Sequence, residues 1–147
     1  MRKLWLVLLI ACAAGSVRAQ SVDSAALAGP GRWIEMSRTA GGDIWALDTE
    51  TMRYDGRYVL VWTRQINGVS KPDGRGQFYK SEMLHWRLDC QDQRWKIEQL
   101  IQYAFDQRVI RTDTYQEAAW NPVIPESRSE TMLREVCDGV RGLAPFR

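Results

Sequence analysis

From Trp33 onward, apolar residues recur at every second position between clusters of Gly, Asp and Asn, the pattern of half-buried antiparallel strands. Trp33–Arg38 is a candidate strand that ends at Gly41-Gly42-Asp43, and Ile44–Asp48 returns as its hairpin partner. Asp55-Gly56 marks a further turn. The run 58–66 (Tyr-Val-Leu-Val-Trp-Thr-Arg-Gln-Ile) is β-branched, aromatic and apolar on both faces at its centre, which places it inside the sheet. Residues 67–77, with Asn67-Gly68, Pro72, Asp73-Gly74 and Gly76, read as a long polar loop. Residues 78–90 alternate again and put Leu84, Trp86, Leu88 and Cys90 on one face. Residues 94–105 put Trp95, Ile97, Ile101, Tyr103 and Phe105 on one face, and 108–115 closes the series.

The pattern then changes. Pro122 and Pro125 make Trp120–Pro125 a rigid connection. Residues 126–138 read as a helix with Met132, Leu133, Val136 and Cys137 on one face. Ser127 or Ser129 can cap it, Glu130 stands at capping-box spacing from Ser127, and Gly139 is a natural stop. Cys90 lies on an apolar strand face and Cys137 on the apolar helix face, so a disulfide between them would pin helix to sheet. The expected fold is α+β: about six antiparallel strands with a C-terminal helix tethered to one face by that disulfide.

The N-terminus decides the compartment. Arg2 and Lys3 precede an apolar run from Leu4 to Ala14, and Val17-Arg18-Ala19 sets small residues at −3 and −1 before Gln20. This is the anatomy of a cleavable secretory signal over 1–19, cut between Ala19 and Gln20. The run is about half the ~20 residues that span a bilayer, so no transmembrane segment is expected after cleavage. Cys12 after Leu9-Ile10-Ala11 resembles a lipidation site, but that reading leaves the downstream cleavage pattern unexplained. Residues 20–32 read as a flexible leader, 33–138 as the domain and 139–147 as a C-terminal tail. Export leaves two cysteines, Cys90 and Cys137, in an oxidising compartment, where a disulfide is their simplest state.

Export also changes the charge. Of 20 Lys and Arg residues, Arg2, Lys3 and Arg18 leave with the signal, so 17 basic residues face 18 acidic ones. A net charge of −1 gives nucleic-acid binding no compositional support.

Catalytic chemistry finds little footing. His85 is the single histidine, mid-strand and out of phase with Trp86, so a nucleophile–histidine arrangement would have to use it. One histidine, two paired cysteines and scattered carboxylates give no zinc spacing. Asp43, Asp48, Asp55, Asp89 and Asp92 fall mostly at turns, where Asp bonds the local backbone. Catalytic residues, a metal and cofactors are therefore not expected. The suggestive surface feature is basic: Arg64, Lys71, Arg75 and Lys80 flank or occupy the 67–77 loop, a candidate contact for an acidic ligand.

Several segments carry a resemblance in order. They are Trp33-Ile34, Asp43–Asp48, Tyr58–Trp62, Tyr79-Lys80-Ser81, Leu88-Asp89-Cys90, Trp120–Pro125 and a terminal helix ending in Val136-Cys137. Together they resemble the bacterial surface-adhesin protein E family over roughly 33–138. The resemblance implies a six-stranded sheet, a helix tethered by Cys90–Cys137, and a periplasmic or outer-surface location. It also implies adhesin-like binding of host matrix proteins, as for the member that names the family. With the basic loop and no catalytic constellation, the expectation is a non-enzymatic binding protein that contacts host matrix proteins or glycans. The competing expectation is a periplasmic inhibitor of the lysozyme-inhibitor type. A free sheet edge would further let two copies pair as a homodimer.

Overall fold

The central strand is longer than its apolar run. In the computed structural model, which describes residues 32–138, it extends from Tyr58 to Pro72 (β4). Before it come β1 (Trp33–Arg38), β2 (Ile44–Asp48) and the short β3 (Arg53–Asp55). After it come β5 (Phe78–Asp89), β6 (Arg94–Tyr103), β7 (Val109–Thr114) and β8 (Asn121–Pro122). All pair antiparallel in one sheet of order β1-β2-β4-β5-β6-β7, with β3 on β4 and β8 on β6. The expected α+β fold with its C-terminal helix is present, enlarged by β3 and β8. Pro122 is tolerated in β8 because it lies at the sheet margin, where a missing N–H breaks no ladder. The predicted signal, the Ala19–Gln20 cleavage point, Cys12, most of the leader and the tail from Gly139 lie outside the described residues.

Cross-strand register defines two faces. Val59, Leu88 and Trp95 stand in one row, Val61, Trp86 and Ile97 in the next, and Thr63, Leu84 and Leu100 in a third. These rows carry the core. Val61 and Leu88 are fully buried against Met132 and Val136. The Trp86 indole N–H donates to Thr63 Oγ1 at 2.9 Å, so the ring is buried without an orphaned donor. Helix α1 (Arg128–Leu133) supplies Met132 and Leu133, and a π-helical turn (Arg134–Asp138) supplies Val136 and Cys137. Ser127 caps the helix, its Oγ accepting from the Glu130 N–H at 3.3 Å, as the spacing predicts. The helix is shorter than the 126–138 expected. Glu126 has φ 60°, and Glu130 bonds its N–H at 2.8 Å, which holds that residue outside the first turn. The Cys90–Cys137 disulfide joins the sheet to the π turn with Cα atoms 5.7 Å apart.

Two expectations need correction. Residues 67–72 belong to β4, so the loop shrinks to 73–77. The polar run misled because these residues pair only across the hairpin: Lys71 faces Tyr79 and Pro72 faces Phe78, beyond the last partners of β2 and β6. The second concerns β6. Its register shifts against β5 where His85 faces Gln99 and Trp86 faces Ile97, which leaves Glu98 as the extra residue. One inserted residue reverses the alternation. Leu100 therefore joins Trp95 and Ile97 on the helix face, and Ile101 and Tyr103 point the other way.

Candidate binding face

The second face carries no described helix or strand. Tyr58, Leu60, Trp62, Arg64 and Ile66 of β4 lie on it beside Arg87, His85, Met83 and Ser81 of β5. Gln99, Ile101 and Tyr103 of β6 continue it. Its large side chains are half-buried rather than covered: Leu60, Trp62, Met83, Ile101 and Tyr103 all remain partly exposed.

Two clusters run along this open face. At one end Trp120 stacks on Tyr58, with ring centroids 5.5 Å apart. Arg94 and Lys96 lie over the Trp120 ring at 4.9 and 5.3 Å, and Arg57 and Arg87 over Tyr58 at 5.4 Å. Beneath them the buried Asp89 binds Arg57, and it accepts from Arg94 Nε at 3.0 Å and from the backbone N–H groups of Gln91 and Asp92. Burial works to raise the Asp89 carboxyl. The hydrogen bonds from Arg57, the Asp92 backbone and Arg94 outweigh it and hold the group below the usual carboxylate range. Asp48 repeats this with Arg32 at 2.8 Å.

At the centre Trp62 and His85 stack with centroids 4.7 Å apart. His85 Nδ1 is 3.6 Å from Glu98 Oε2, but Glu98 already accepts from Arg87 Nε at 2.6 Å. Burial pushes His85 below its ordinary value against the pull of Glu98, so the ring is neutral at pH 7. The cluster joins a neutral imidazole to a carboxylate that an arginine has already matched, which is a poor basis for acid–base work.

The basic residues singled out in the sequence lie toward the other end, where the β1–β2 turn meets β4 and Gln107 of the β6–β7 turn reaches Arg64. The structure does not gather them into one patch. Asp43 Oδ1 accepts from the Gly68 N–H at 2.8 Å and its Oδ2 pairs with Lys71 Nζ at 3.0 Å. Lys80 Nζ donates to the Gly68 carbonyl at 2.8 Å. Lys71 thus ties β4 to the β1–β2 turn, and Lys80 holds the irregular stretch of β4 between Ile66 and Lys71. The approach is close: a Cβ on Gly68 would meet the Gly41 carbonyl oxygen at 1.9 Å. Arg75 stays at the hairpin tip, where it acts electrostatically on Asp113, and Val69 and Phe78 of the same arm are 76 and 64 % exposed. Arg64 lies on the open face, where its Nη2 donates to Gln107 Oε1 of the β6–β7 turn at 2.9 Å.

Sequence reasoning missed the Tyr58–Trp120 stack and the Trp62–His85 pair. The second was findable, since both residues sit out of phase with the core positions of their own strands. On the helix face, Leu84, Ile97 and Leu100 floor an apolar groove of about 350 Å³ walled by Tyr115, Ala118, Ala119 and Asn121. Among the described residues no group of His, Cys, Asp or Glu is arranged to hold a metal ion, and no helix is long and apolar enough to cross a membrane.

None of the curated proteins matches the chain. Solved structures do. Protein E of Haemophilus influenzae aligns with a TM-score of 0.55 at 11% identity, over 82% of this chain and 93% of that one. A second crystal form of it aligns at 0.55 and 10% identity, over 77 and 92%. Protein E from non-typeable Haemophilus influenzae gives 0.53 at 10% identity, over 76 and 79%. At such identities the likeness is one of fold. The sequence model of the surface-adhesin protein E family matches residues 33–138, which span β1 through the π turn, and the chain therefore belongs to that family.

Proposed function

We propose that this chain is an exported, non-enzymatic binding protein of the bacterial surface, adhesin-like, that meets host matrix proteins or glycans. The observation that carries the reading is the sheet face that family membership leaves unexplained. It holds Trp62, Tyr103, Met83 and Arg64 half-exposed, with no described element over them. Aromatic residues, Met and Arg are enriched in protein interfaces. On the hairpin arm Arg75, Val69 and Phe78 are exposed as well. The neighbouring Lys71 and Lys80 act by holding the arm in place, so the ligand-facing cation of the loop is Arg75. Export by the 1–19 signal, with cleavage after Ala19, would deliver the domain, and the oxidising compartment would close Cys90–Cys137.

The test is surface accessibility in the bacterium itself. Intact cells are treated with protease, and separately with antibody to the domain, with lysed cells as control. Shaving and labelling on intact cells are the expected results. Protection until the outer membrane is broken would contradict the adhesin reading and direct the search to periplasmic partners, beginning with lysozyme inhibition.

A further inference from the structure

We propose that Arg64 is the anchor for a carboxylate presented by a protein partner docking on the open face. This deepens the binding reading above and rests on it. Five described arginines are neither fully buried nor exposed: Arg32, Arg64, Arg87, Arg94 and Arg111. Four of them sit against a carboxylate, in the pairs Arg32–Asp48, Arg87–Glu98, Arg94–Asp89 and Arg111–Asp113. Arg64 has none. Its Nε is covered and has no hydrogen-bond partner, and its one bond runs from Nη2 to the neutral amide of Gln107.

The register shows why no counter-ion reaches it. Ala46 of β2, Met83 of β5 and Ile101 of β6 stand in its row. Trp62 and Ile66 flank it on its own strand, and Ser81, His85, Gln99 and Tyr103 occupy the adjoining rows. Ser81 is almost completely buried on the same face, and its Oγ is likewise unpartnered. The remaining cations of the open face are matched: Arg87 and Lys96 both pair with Glu98. A guanidinium half withdrawn from water without an opposite charge costs free energy, and a bidentate carboxylate recovers it. Burial lowers the Arg64 pKa, which is the direction expected of a cation without a counter-ion. Charge complementarity therefore calls for Asp or Glu on the partner. The Ile66, Met83, Ile101 and Trp62 side chains around Arg64 call for apolar residues flanking it, which a protein segment supplies.

The experiment follows the side-chain Nε–H signal of Arg64 by NMR in the exported, disulfide-bonded chain. The probes are a short peptide alternating leucine and glutamate, the same peptide with glutamine, and a hyaluronan oligosaccharide of equal carboxylate concentration. The glutamate peptide is expected to move the Arg64 signal saturably and to bind roughly tenfold more tightly than its glutamine analogue. Arg64→Lys should weaken binding by about tenfold, because it keeps the charge and loses the fork. Read by titration calorimetry, since neither variant keeps the Nε–H, Arg64→Gln should abolish binding of the glutamate peptide without lowering the melting temperature. Gln107→Gly, which leaves Arg64 in place, should retain binding. An unmoved signal, equal binding of the two peptides, a response to hyaluronan alone, or an Arg64→Gln chain that unfolds at clearly lower temperature would each overturn the proposal. The shaving experiment reads location only, so a failed titration of a protease-accessible protein refutes the Arg64 site and leaves the adhesin reading standing.

Discussion

Leu88 and Met83 lie on one strand, five residues apart, and face opposite ways. Leu88 is sealed between Val59, Trp95 and the helix, whereas Met83 lies beside Arg64 and Ile101 with part of its surface in water. The same division runs through the whole sheet. On the helix face apolar rows pack on Met132 and Val136, and a disulfide holds the cover in place. On the open face aromatic rings alternate with arginines, and, Arg64 Nε and Ser81 Oγ apart, its ion pairs run sideways within the sheet rather than to an overlying layer. One face resists change because it is packed, and the other can vary at its centre, around Trp62, Met83 and Arg64, where no described element covers it.

The sharpest way to break this comparison is to remove the tether. Cys90→Ser with Cys137→Ser opens a loop whose ends are 47 residues apart. Chain entropy puts the loss at about 4 kcal/mol, read from urea unfolding with and without the disulfide. Next comes truncation of the two side chains compared above. Leu88→Ala should cost about 3 kcal/mol and Met83→Ala less than about 1, and equal losses would erase the distinction between the faces. Gly68→Ala should cost about 1–3 kcal/mol, because the β1–β2 turn must retreat from the new Cβ. Its effect should centre on the hairpin end, visible as faster amide exchange at residues 67–72.

The pH dependence sharpens the comparison further. His85 titrates below its ordinary value in the folded chain, so the unfolded chain takes the proton first and stability falls as pH drops below about 6.5. Asp48 and Asp89 are also lowered; their contribution is complete above about pH 4 and is lost as pH falls further. A thermal melt series should therefore show a shallow decline and then a steeper one. His85→Gln should remove the shallow part alone. The smallest effect is expected of Trp62→Ala, whose ring stacks on the open face without sealing the core. It should shift the melting temperature by a few degrees at most.

Much of this was legible in the chain. Trp33–Arg38 and Ile44–Asp48 have the bounds that alternation and turn residues predict, and Ser127 caps the helix that its spacing with Glu130 announces. The disulfide followed from compartment and from two apolar faces. The phase reversal in β6 was not seen, although the doublet Leu100-Ile101 after Glu98-Gln99 hints at it. A bulge is a property of two strands, and one strand's alternation cannot show it. The hairpin arm was read as loop because residues 67–72 pair only across the hairpin and so lack a buried stripe. The four basic residues looked alike in sequence. Only the packing around Gly68 separates Lys71 and Lys80, which hold β4, from Arg75, at the tip, and from Arg64, which lacks a carboxylate.

The central claim is that the open face binds and the helix face holds the fold. It is tested most directly by bacterial attachment to a surface coated with solubilised basement-membrane extract. Cells carrying the unaltered chain would be compared with cells carrying Trp62→Ala with Arg64→Gln, and with cells carrying Arg134→Gln on the exposed side of the π turn. The account predicts that attachment falls for the open-face variant alone at equal surface abundance. Attachment that ignores both changes, or that fails only with Arg134→Gln, would contradict it.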